Sequence, residues 1–436
     1  MSPLGILPFE LWSDIFLHCQ SIHEVSMTDL TLVCRAWLDV IEQTPELWTN
    51  VSLTWKENLT NIPRLQKRLT LSRDLSLTVR IANTLLVMDS EEIRPAILLL
   101  KGHVHRMKTL DIVHNYDAQL NYICDILASS PAPRLERVTL AIPDPPLASS
   151  RIILSQDSFQ SSPRLKEVVF PLHFFPVPTA RLLTTLTSLR FTKSSYTYDS
   201  NPSRRPNYGH DDLVTLHGIL QSCPLLEHFQ HSCRHTHPSS VYQPRVLPRI
   251  TLPYLLSIDV TSPSIGADIV KCIHAPALRS LRIDGSGCPD RFRPEQDGIL
   301  PRLAEGSPLL QTISLIRISW PRLSYVVLSQ RFPNLQHLIF HGCDLSDDIF
   351  TNTSIPNWPL LTRLELIEAN QVSPNALIEF LRGKSSSSLA EVVIDRCSKF
   401  SHKSCLRVSR LVPILIPASK YVSGDFLRLD NRPVAA

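Results

Sequence analysis

The sequence predicts an α/β solenoid in which short parallel strands alternate with helices, preceded by a small module of three helices. Three observations predict this fold class. A motif of the form Pro-x-Leu-x-x-apolar-x-apolar recurs along most of the 436 residues, a helical pattern stands before most copies, and residues 4–50 follow neither rule. We therefore expect a module over 4–50, a solenoid over 51–420 and a C-terminal tail over 421–436.

The composition indicates an ordered globular protein that binds other proteins. Hydrophobic residues make up 43% of the chain, which is enough for a large core. A net charge of only +4 favours neither nucleic acid nor a membrane surface as a partner. The N-terminus lacks the pattern of a secretory signal, and the apolar runs are far shorter than the roughly 20 residues that span a bilayer. We therefore expect a cytoplasmic or nuclear protein.

In the module, the segment ILPFELWSDIFLHC predicts a first helix that begins at a proline. Leu11, Ile15 and Cys19 recur at helical spacing on one face, and Trp12 and Phe16 lie on the adjoining face. The helix therefore carries apolar residues on two of its faces.

A second helix is expected from Thr28 to Gln43, with Thr28 as its N-cap. Its apolar residues cover about twice the roughly 100° stripe that a surface helix needs. Pro45 is then expected to open a short third turn. Three short helices make a marginal core, so we expect apolar surface on this module that a partner or a neighbouring element covers.

Eleven copies of the repeat align by their first apolar residue. Their spacing is mostly 21 to 32 residues, with one interval of 40 between Leu186 and Leu226. No single copy can bury its own apolar face, so neighbouring copies must stack to form the core. The first apolar residues are Met107, Leu135, Leu165, Leu186, Leu226, Leu255, Leu278, Leu310, Leu335, Leu361 and Leu389.

A helical pattern precedes many of the strands. In most of these copies a proline follows the helix and ends it, because the residue before a proline is driven out of the α region. Each unit is therefore predicted to run helix, proline stop, short strand. The predicted helical segments are 121–130, 211–223, 265–273, 323–332 and 375–383.

The repeat resembles the leucine-rich repeat, whose consensus ends in Asn or Cys after Leu-x-x-Leu-x-Leu-x-x. Asn115, Cys343 and Cys397 stand at that last position. Such a side chain is expected to donate to backbone carbonyls where the chain leaves the strand. The resemblance implies a curved solenoid of unequal repeats, and the alternative is an ordinary α/β sheet. The chain has ten cysteines and no Cys-x-x-Cys pair, and we expect its cysteines to be buried thiols and not disulfides.

The module carries a second resemblance, in three blocks: LPFELWSDIF at 7–16, LVCRAW at 32–37 and PELW at 45–48. Together these blocks resemble the F-box. The resemblance implies binding to the Skp-type adaptor of a cullin-RING (SCF) ubiquitin ligase, with the repeats recruiting a protein substrate. The alternative is a repeat scaffold whose first helices only cap the solenoid. Carried over residue by residue, the adaptor-binding candidates are Leu7, Pro8, Ile15, Leu32, Val33 and Cys34.

The second, fourth and sixth residues after each first apolar residue are expected on the concave face, because strand side chains alternate. Charges of both signs there suit a protein or peptide ligand better than a phosphate backbone. Residues 193–212 and 233–250 leave the repeat rhythm and are alternative recognition segments. The substrate-binding candidates are Arg282, Asp284, His337, His341, Arg363, Glu365, Glu391 and Asp395.

No catalytic residue, cofactor or metal is expected. The chain has no nucleophile-elbow, Walker or His-Glu-x-x-His motif, and its twelve glycines disfavour a Gly-rich phosphate loop. One group could suggest zinc, but the strand alternation spreads its members over two faces and a loop. That group consists of His228, His231, Cys233, His235 and His237.

Overall fold

The structure is a computed structural model, and the chain divides into two compact units. Unit 1 comprises residues 1–186 with 194–205, and unit 2 comprises 187–193 with 206–436. Within these units the structure describes residues 7–21, 27–54, 62–82, 90–114, 117–142, 159, 161–171, 181–192, 210–232, 247–261, 264–285, 299–318, 328, 331–351, 358–383, 389–412, 414–416 and 427–429.

The N-terminal module consists of short helices. They are α1 (Phe9–Ser21), α2 (Met27–Thr31), α3 (Arg35–Gln43) and a 3-10 helix (Pro45–Trp48). The turn expected at Pro45 is confirmed. The single helix expected from Thr28 to Gln43 is wrong, because Cys34 adopts an extended backbone (φ −163°, ψ 165°) that cannot continue an α-helix. Thr28 therefore lies inside α2 and is not the N-cap of a long helix.

The small core of this module is aromatic. The ring of Phe16 lies 5.0 Å from that of Trp37 and 5.8 Å from that of Trp12. The indole nitrogen of Trp48 donates to the carbonyl of Ile41 at 2.8 Å. The face of α1 that carries Trp12 and Phe16 therefore points inward. The fully buried apolar residues of the cluster are Phe16, Leu30, Ile41 and Leu47.

Unit 1 contains five parallel strands whose spatial order follows the chain. They are β1 (Asn50–Thr54), β2 (Leu77–Ala82), β3 (Met107–Val113), β4 (Arg137–Ala141) and β5 (Glu167–Pro171). The helices of this unit after the module are α4 (Ile62–Leu71), α5 (Ser90–Lys101), α6 (Asp117–Ala128) and 3-10 helices at Val104–Arg106 and Arg181–Thr185. The strand register stacks buried side chains in one row: Val51, Val79, Leu110, Val138 and Val168.

Unit 2 repeats this arrangement. Its main sheet holds β6 (Ser188–Thr192), β7 (His228–Ser232), β9 (Ser257–Thr261), β11 (Ser280–Asp284), β12 (Thr312–Ile316), β13 (His337–His341), β14 (Arg363–Ile367), β15 (Glu391–Asp395), β16 (Ile414–Ile416) and β17 (Leu427–Leu429). All neighbours are parallel except β17, which is antiparallel to β16 and falls in the stretch expected to be a tail. A separate parallel pair joins β8 (Ile250–Thr251) to β10 (Ile273–His274).

The helices of unit 2 separate successive strands. They are α7 (His210–Gln221), α8 (Ser264–Cys272), α9 (Ile299–Gly306), α10 (Asp348–Thr351), α11 (Pro374–Gly383) and α12 (His402–Ser409). Four of the five helical segments expected from the sequence are confirmed, with every boundary within four residues of the expected one. The fifth, 323–332, lies largely outside the described residues. The coarse class, α/β with open and mostly parallel sheets, is confirmed.

In ten of the eleven repeat motifs a turn leads into the strand, and the residues just before Leu389 lie outside the described residues. The amide of Leu226 donates to the carbonyl of Cys223 at 3.2 Å, and the same bond recurs between Leu361 and Trp358 at 3.1 Å. The proline lies between donor and acceptor in both copies, at a turn position that needs no amide hydrogen. Ten of the eleven first apolar residues are buried, and Leu389 is half-buried. The repeat is therefore a turn followed by a strand.

The cysteines at the consensus position satisfy the carbonyls predicted for them. The thiol of Cys343 donates to the carbonyl of Leu315 at 3.2 Å, and that of Cys397 donates to the carbonyl of Leu366 at 3.3 Å. Each bond joins the chain beyond one strand to the neighbouring strand. Burial raises the pKa of Cys343 to about 11, so the group stays a protonated donor. Asn115 lies outside the described residues.

Candidate functional site

The six adaptor-binding candidates of the N-terminal module are all solvent-exposed. Leu32 and Val33 are 77% and 58% exposed, because they occupy the turn between α2 and α3 and not the side of a long helix. Ile15 lies on an exposed face of α1, adjoining the face that carries Trp12 and Phe16. Phe9 and Leu11 are exposed as well, although neither is among the six adaptor-binding candidates. Their position on the same helix as Ile15 is the signal that could have found them.

The module joins directly to the first strand of unit 1. Only Thr49 separates the 3-10 helix from β1, and the amide of Thr78 in β2 donates to the carbonyl of Thr49 at 3.0 Å. The ammonium of Lys67 in α4 lies 2.5 Å from the carboxylate of Glu42 in α3. The module is thus held to β2 and α4 of unit 1 by a hydrogen bond and an ion pair.

A second exposed surface lies on the main sheet of unit 2, which we call the outer face. It consists of the outward side chains of β9 and β11 to β15, together with the residue that follows each of the last four strands. Of the eight substrate-binding candidates on this face, six are partly or fully exposed. The other two, Asp284 and Asp395, are over 90% buried, which limits their direct contact with a ligand.

Two arginines of the outer face each lie between two carboxylates. Arg363 has Nε 2.7 Å from Glu365 on its own strand and Nη1 2.8 Å from Glu391 on β15. The guanidinium of Arg396 lies 2.7 Å from Glu368 and 3.0 Å from Asp395. The register between strands creates these triads, because it places Arg363 opposite Glu391.

A third triad has the same composition. Arg282 lies 3.7 Å from Asp259 on the neighbouring strand and 3.3 Å from Asp284 on its own. Burial raises the pKa of Asp259; Arg282 opposes that rise and the negative charge of Asp284 adds to it. Asp259, Glu368 and Arg396 were not among the sequence candidates. The repeat register, which places Asp259 opposite Arg282, is the signal that could have found the first of them.

The residues after β12 to β15 all adopt positive φ. Arg317, Gly342, Glu368 and Arg396 have φ values of 49°, 61°, 53° and 51°. Three of these amides bond to the next strand: that of Arg317 donates to the carbonyl of His341 at 2.6 Å, that of Gly342 to Ile367 at 2.8 Å and that of Glu368 to Asp395 at 2.8 Å. For a residue other than glycine, a positive φ costs about 1–2 kcal/mol. Three charged side chains are thereby held along one edge of the outer face.

Apolar side chains interrupt these charges. Ile316, Ile339, Ile367 and Val393 occupy outward positions on four consecutive strands. Ile339 and Ile367 are half-buried, whereas Ile316 and Val393 are buried among their neighbours. These aliphatic residues are not among the eight substrate-binding candidates expected from the sequence, which are all charged residues or histidines.

The two described members of the histidine group, His228 and His231, lie on opposite faces of β7. His228 faces outward, and its Nδ1 lies 2.8 Å from the hydroxyl of Ser257. His231 points inward, where its ring lies 6.0 Å from Phe191 and 6.5 Å from Phe229. Burial lowers the pKa of His231 to about 4, so the ring is neutral at pH 7. Cys233, His235 and His237 lie outside the described residues.

Within the described part of the chain, no group of three His, Cys, Asp or Glu residues is placed to hold a metal ion. The helices described there are all too short or too polar to cross a membrane. No protein-family model matches the chain, and no curated protein is significantly similar to it in sequence. The resemblances described above therefore rest on the residues of this chain alone.

Proposed function

We propose that this protein is an F-box protein, the substrate-recognition subunit of an SCF ubiquitin ligase. In this proposal the module of residues 4–50 binds the Skp-type adaptor, and the repeats form a leucine-rich-repeat-like curved solenoid that binds a protein substrate. The chain itself performs no bond chemistry, because ubiquitin transfer belongs to other subunits of such a ligase. The protein acts in the cytoplasm or the nucleus.

The observation that carries the proposal is the exposure of apolar side chains on a module with a small core. Leu7, Ile15, Leu32 and Val33 remain accessible to solvent while Phe16 and Ile41 are buried. Exposed apolar groups concentrated on one small module are typical of a surface that a partner covers. These four residues also belong to the sequence blocks that resemble the F-box.

The solenoid part of the proposal is supported by strand order. Within each unit the parallel strands succeed one another in chain order, and helices separate many of them. Buried rows run from strand to strand in register, so each repeat depends on its neighbours for its core.

Co-purification tests adaptor binding directly. The full chain is co-expressed with a Skp-type adaptor, as wild type and as the triple variant Leu7→Ala, Ile15→Ala, Val33→Ala. We expect the wild type to retain the adaptor and the triple variant to lose most of it, because truncation removes exposed contact area without touching the core. A matched control replaces three similarly exposed apolar residues outside the module with alanine: Leu98, Val214 and Leu309.

Two results would contradict the proposal. One is that the adaptor fails to co-purify with the wild type. The other is that the triple variant and the control variant retain the adaptor equally well. Circular dichroism of both variants establishes that they are folded before the comparison is made.

A second candidate function is a repeat scaffold whose N-terminal helices only cap the first strand. Two contacts favour this role because they join the module to α4 and β2 of unit 1. They are the ion pair between Lys67 and Glu42 and the hydrogen bond from Thr78 to Thr49. If the module is only a cap, the adaptor will not co-purify with the chain. A cap role also predicts that deleting residues 1–48 lowers the stability of the remaining chain by exposing the edge of β1.

A further inference from the structure

We infer that the outer face of unit 2 binds a basic protein segment that carries apolar side chains between its lysines or arginines. The inference deepens the proposed function by naming the chemical class of the substrate. It rests on the proposed function only in treating the bound segment as part of a ligase substrate. The binding surface itself is argued from the charges, burial and register of unit 2.

The outer face has an excess of negative charge. It carries two more carboxylates than guanidinium groups, whereas the whole chain has a net charge of +4. The acidic character is therefore local to this face. The carboxylates belong to Asp259, Asp284, Glu365, Glu368, Glu391 and Asp395, and the guanidinium groups to Arg282, Arg317, Arg363 and Arg396.

The pairing of these charges decides which ligand they attract. Arg282, Arg363 and Arg396 each contact two carboxylates, so each triad keeps one net negative charge and its arginine is already satisfied. An anionic ligand would have to break those pairs. A lysine or arginine of a partner can instead share the partly exposed oxygens of Glu365 and Glu391, and opposite charge also speeds encounter.

The apolar residues of the outer face require that the partner also carry apolar side chains. Ile339 and Ile367 are half-buried on adjacent strands, close to Glu365 and Arg363 in the register. Covering them with an aliphatic side chain removes apolar surface from water, which contributes about 25 cal/mol per Å². A purely basic segment lacks this contribution, so we expect apolar and basic residues to alternate in the partner.

The dimensions suit an extended segment that crosses the strands. Five strands, β11 to β15, span about 19 Å at the usual strand spacing of about 4.8 Å. An extended chain rises about 3.3 Å per residue, so roughly six or seven residues cover this distance. The segment would contact the triad of Arg282 at one end and that of Arg363 at the other.

Fluorescence anisotropy with defined peptides tests the inference on the full chain. The first probe is a labelled seven-residue peptide of five lysines and two leucines, the second replaces the lysines with glutamates, and the third replaces the leucines with serines. We expect the first peptide to bind most tightly, the serine peptide about tenfold more weakly, and the glutamate peptide not at all. Binding of the first peptide should weaken as salt rises, because the attraction is screened.

Variants locate the site. The double variant Glu365→Gln, Glu391→Gln should weaken binding of the lysine-leucine peptide about tenfold. The control Glu305→Gln, Glu379→Gln removes the same charge from exposed helix positions of unit 2 and should leave binding unchanged. If the first variant folds poorly, Ile339→Ser serves in its place and should weaken the lysine-leucine peptide while leaving the serine peptide unaffected.

The inference is overturned if the glutamate peptide binds as tightly as the lysine peptide, or if the outer-face and control variants bind equally. Adaptor co-purification of the Glu365→Gln, Glu391→Gln variant separates this inference from the proposed function. Loss of peptide binding with adaptor retained supports both. Peptide binding by a chain that retains no adaptor supports the basic-segment site and contradicts the ligase role.

Discussion

The Nη1 atom of Arg363 lies 2.8 Å from Oε2 of Glu391, which is its register partner on the neighbouring strand. Directly opposite charges on a sheet contribute about 0.2–1 kcal/mol, and partial exposure keeps the value in that range. We expect a double-mutant cycle of Arg363→Ala and Glu391→Ala, measured by urea unfolding, to give a coupling of about 0.5 kcal/mol. The control pair is Arg249 and Glu305, which is more exposed and should couple more weakly. Equal coupling free energies in the two cycles would show that the sheet register does not strengthen the ion pair.

His231 makes stability depend on pH. Its pKa is about 4 in the folded chain because of burial, and about 6.5 when unfolded. Between these values the unfolded chain binds a proton that the folded chain does not, so the free energy of unfolding falls as pH drops from about 6.5 to about 4. The full loss is roughly 3 kcal/mol.

The variant His231→Leu places at this position the kind of side chain found at its inward register neighbours Phe191 and Val260. We expect it to remove this part of the pH dependence, as measured by urea unfolding at pH 7.5 and pH 4.5. His228→Leu, on the exposed outward side of the same strand, is the control. If His231→Leu and the wild type lose equal stability between the two pH values, His231 is not a buried neutral group.

The backbone conformation of Gly342 and the side chain of Arg317 beside it both favour glycine at this position. Its φ is +61°, and an added Cβ would lie 3.1 Å from Cγ of Arg317. We expect Gly342→Ala to lower the free energy of unfolding by about 1–2 kcal/mol. Gly102→Ala is the control, because the nearest atom to its Cβ would be a carbonyl oxygen at 3.5 Å and no positive φ is involved. A larger loss in the control than in Gly342→Ala would contradict this explanation.

Thiol reactivity should follow burial. The expectation of a buried thiol is wrong for Cys34, which is exposed in the turn between α2 and α3, whereas Cys223, Cys343 and Cys397 are buried. Burial raises the pKa of Cys223 to about 12 and that of Cys343 to about 11, so both remain unreactive thiols at pH 8. We expect maleimide to label Cys34 within minutes and the buried thiols only after unfolding. Peptide mapping by mass spectrometry distinguishes them, and rapid labelling of Cys343 in the folded chain would contradict its donor role.

The stability of the N-terminal module should depend on its core and not on its exposed apolar residues. Phe16 is buried against Trp37, so Phe16→Ala should cost about 3–5 kcal/mol of local stability. Leu32 is 77% exposed, so Leu32→Ala should change stability by less than about 0.5 kcal/mol. Thermal unfolding followed by tryptophan fluorescence compares the two. A large loss for Leu32→Ala would mean that this residue packs within the chain.

The repeat pattern was sufficient to predict most of the strands and several of the helices. Leu364 and Leu366 alternate with Arg363 and Glu365, and such alternation requires one buried and one open side whatever the neighbours are. Cys343 and Cys397 were predicted to donate to carbonyls at the ends of strands, because buried backbone acceptors need a donor. These features depend on residues close together in the chain.

The break at Cys34 could not be predicted in the same way, because the residues around it are compatible with a helix and only packing of α2 and α3 against α1 decides where the chain turns.

The amino-acid sequence by itself determined which side of each strand is apolar and where each repeat begins, since both follow from local alternation and from the proline turn. Tertiary structure decided which charges meet. Arg363 is 28 residues from Glu391 in sequence, and only the parallel register places them side by side. The excess negative charge of the outer face, and its mixture with Ile339 and Ile367, arise because side chains from separate repeats are stacked about 4.8 Å apart.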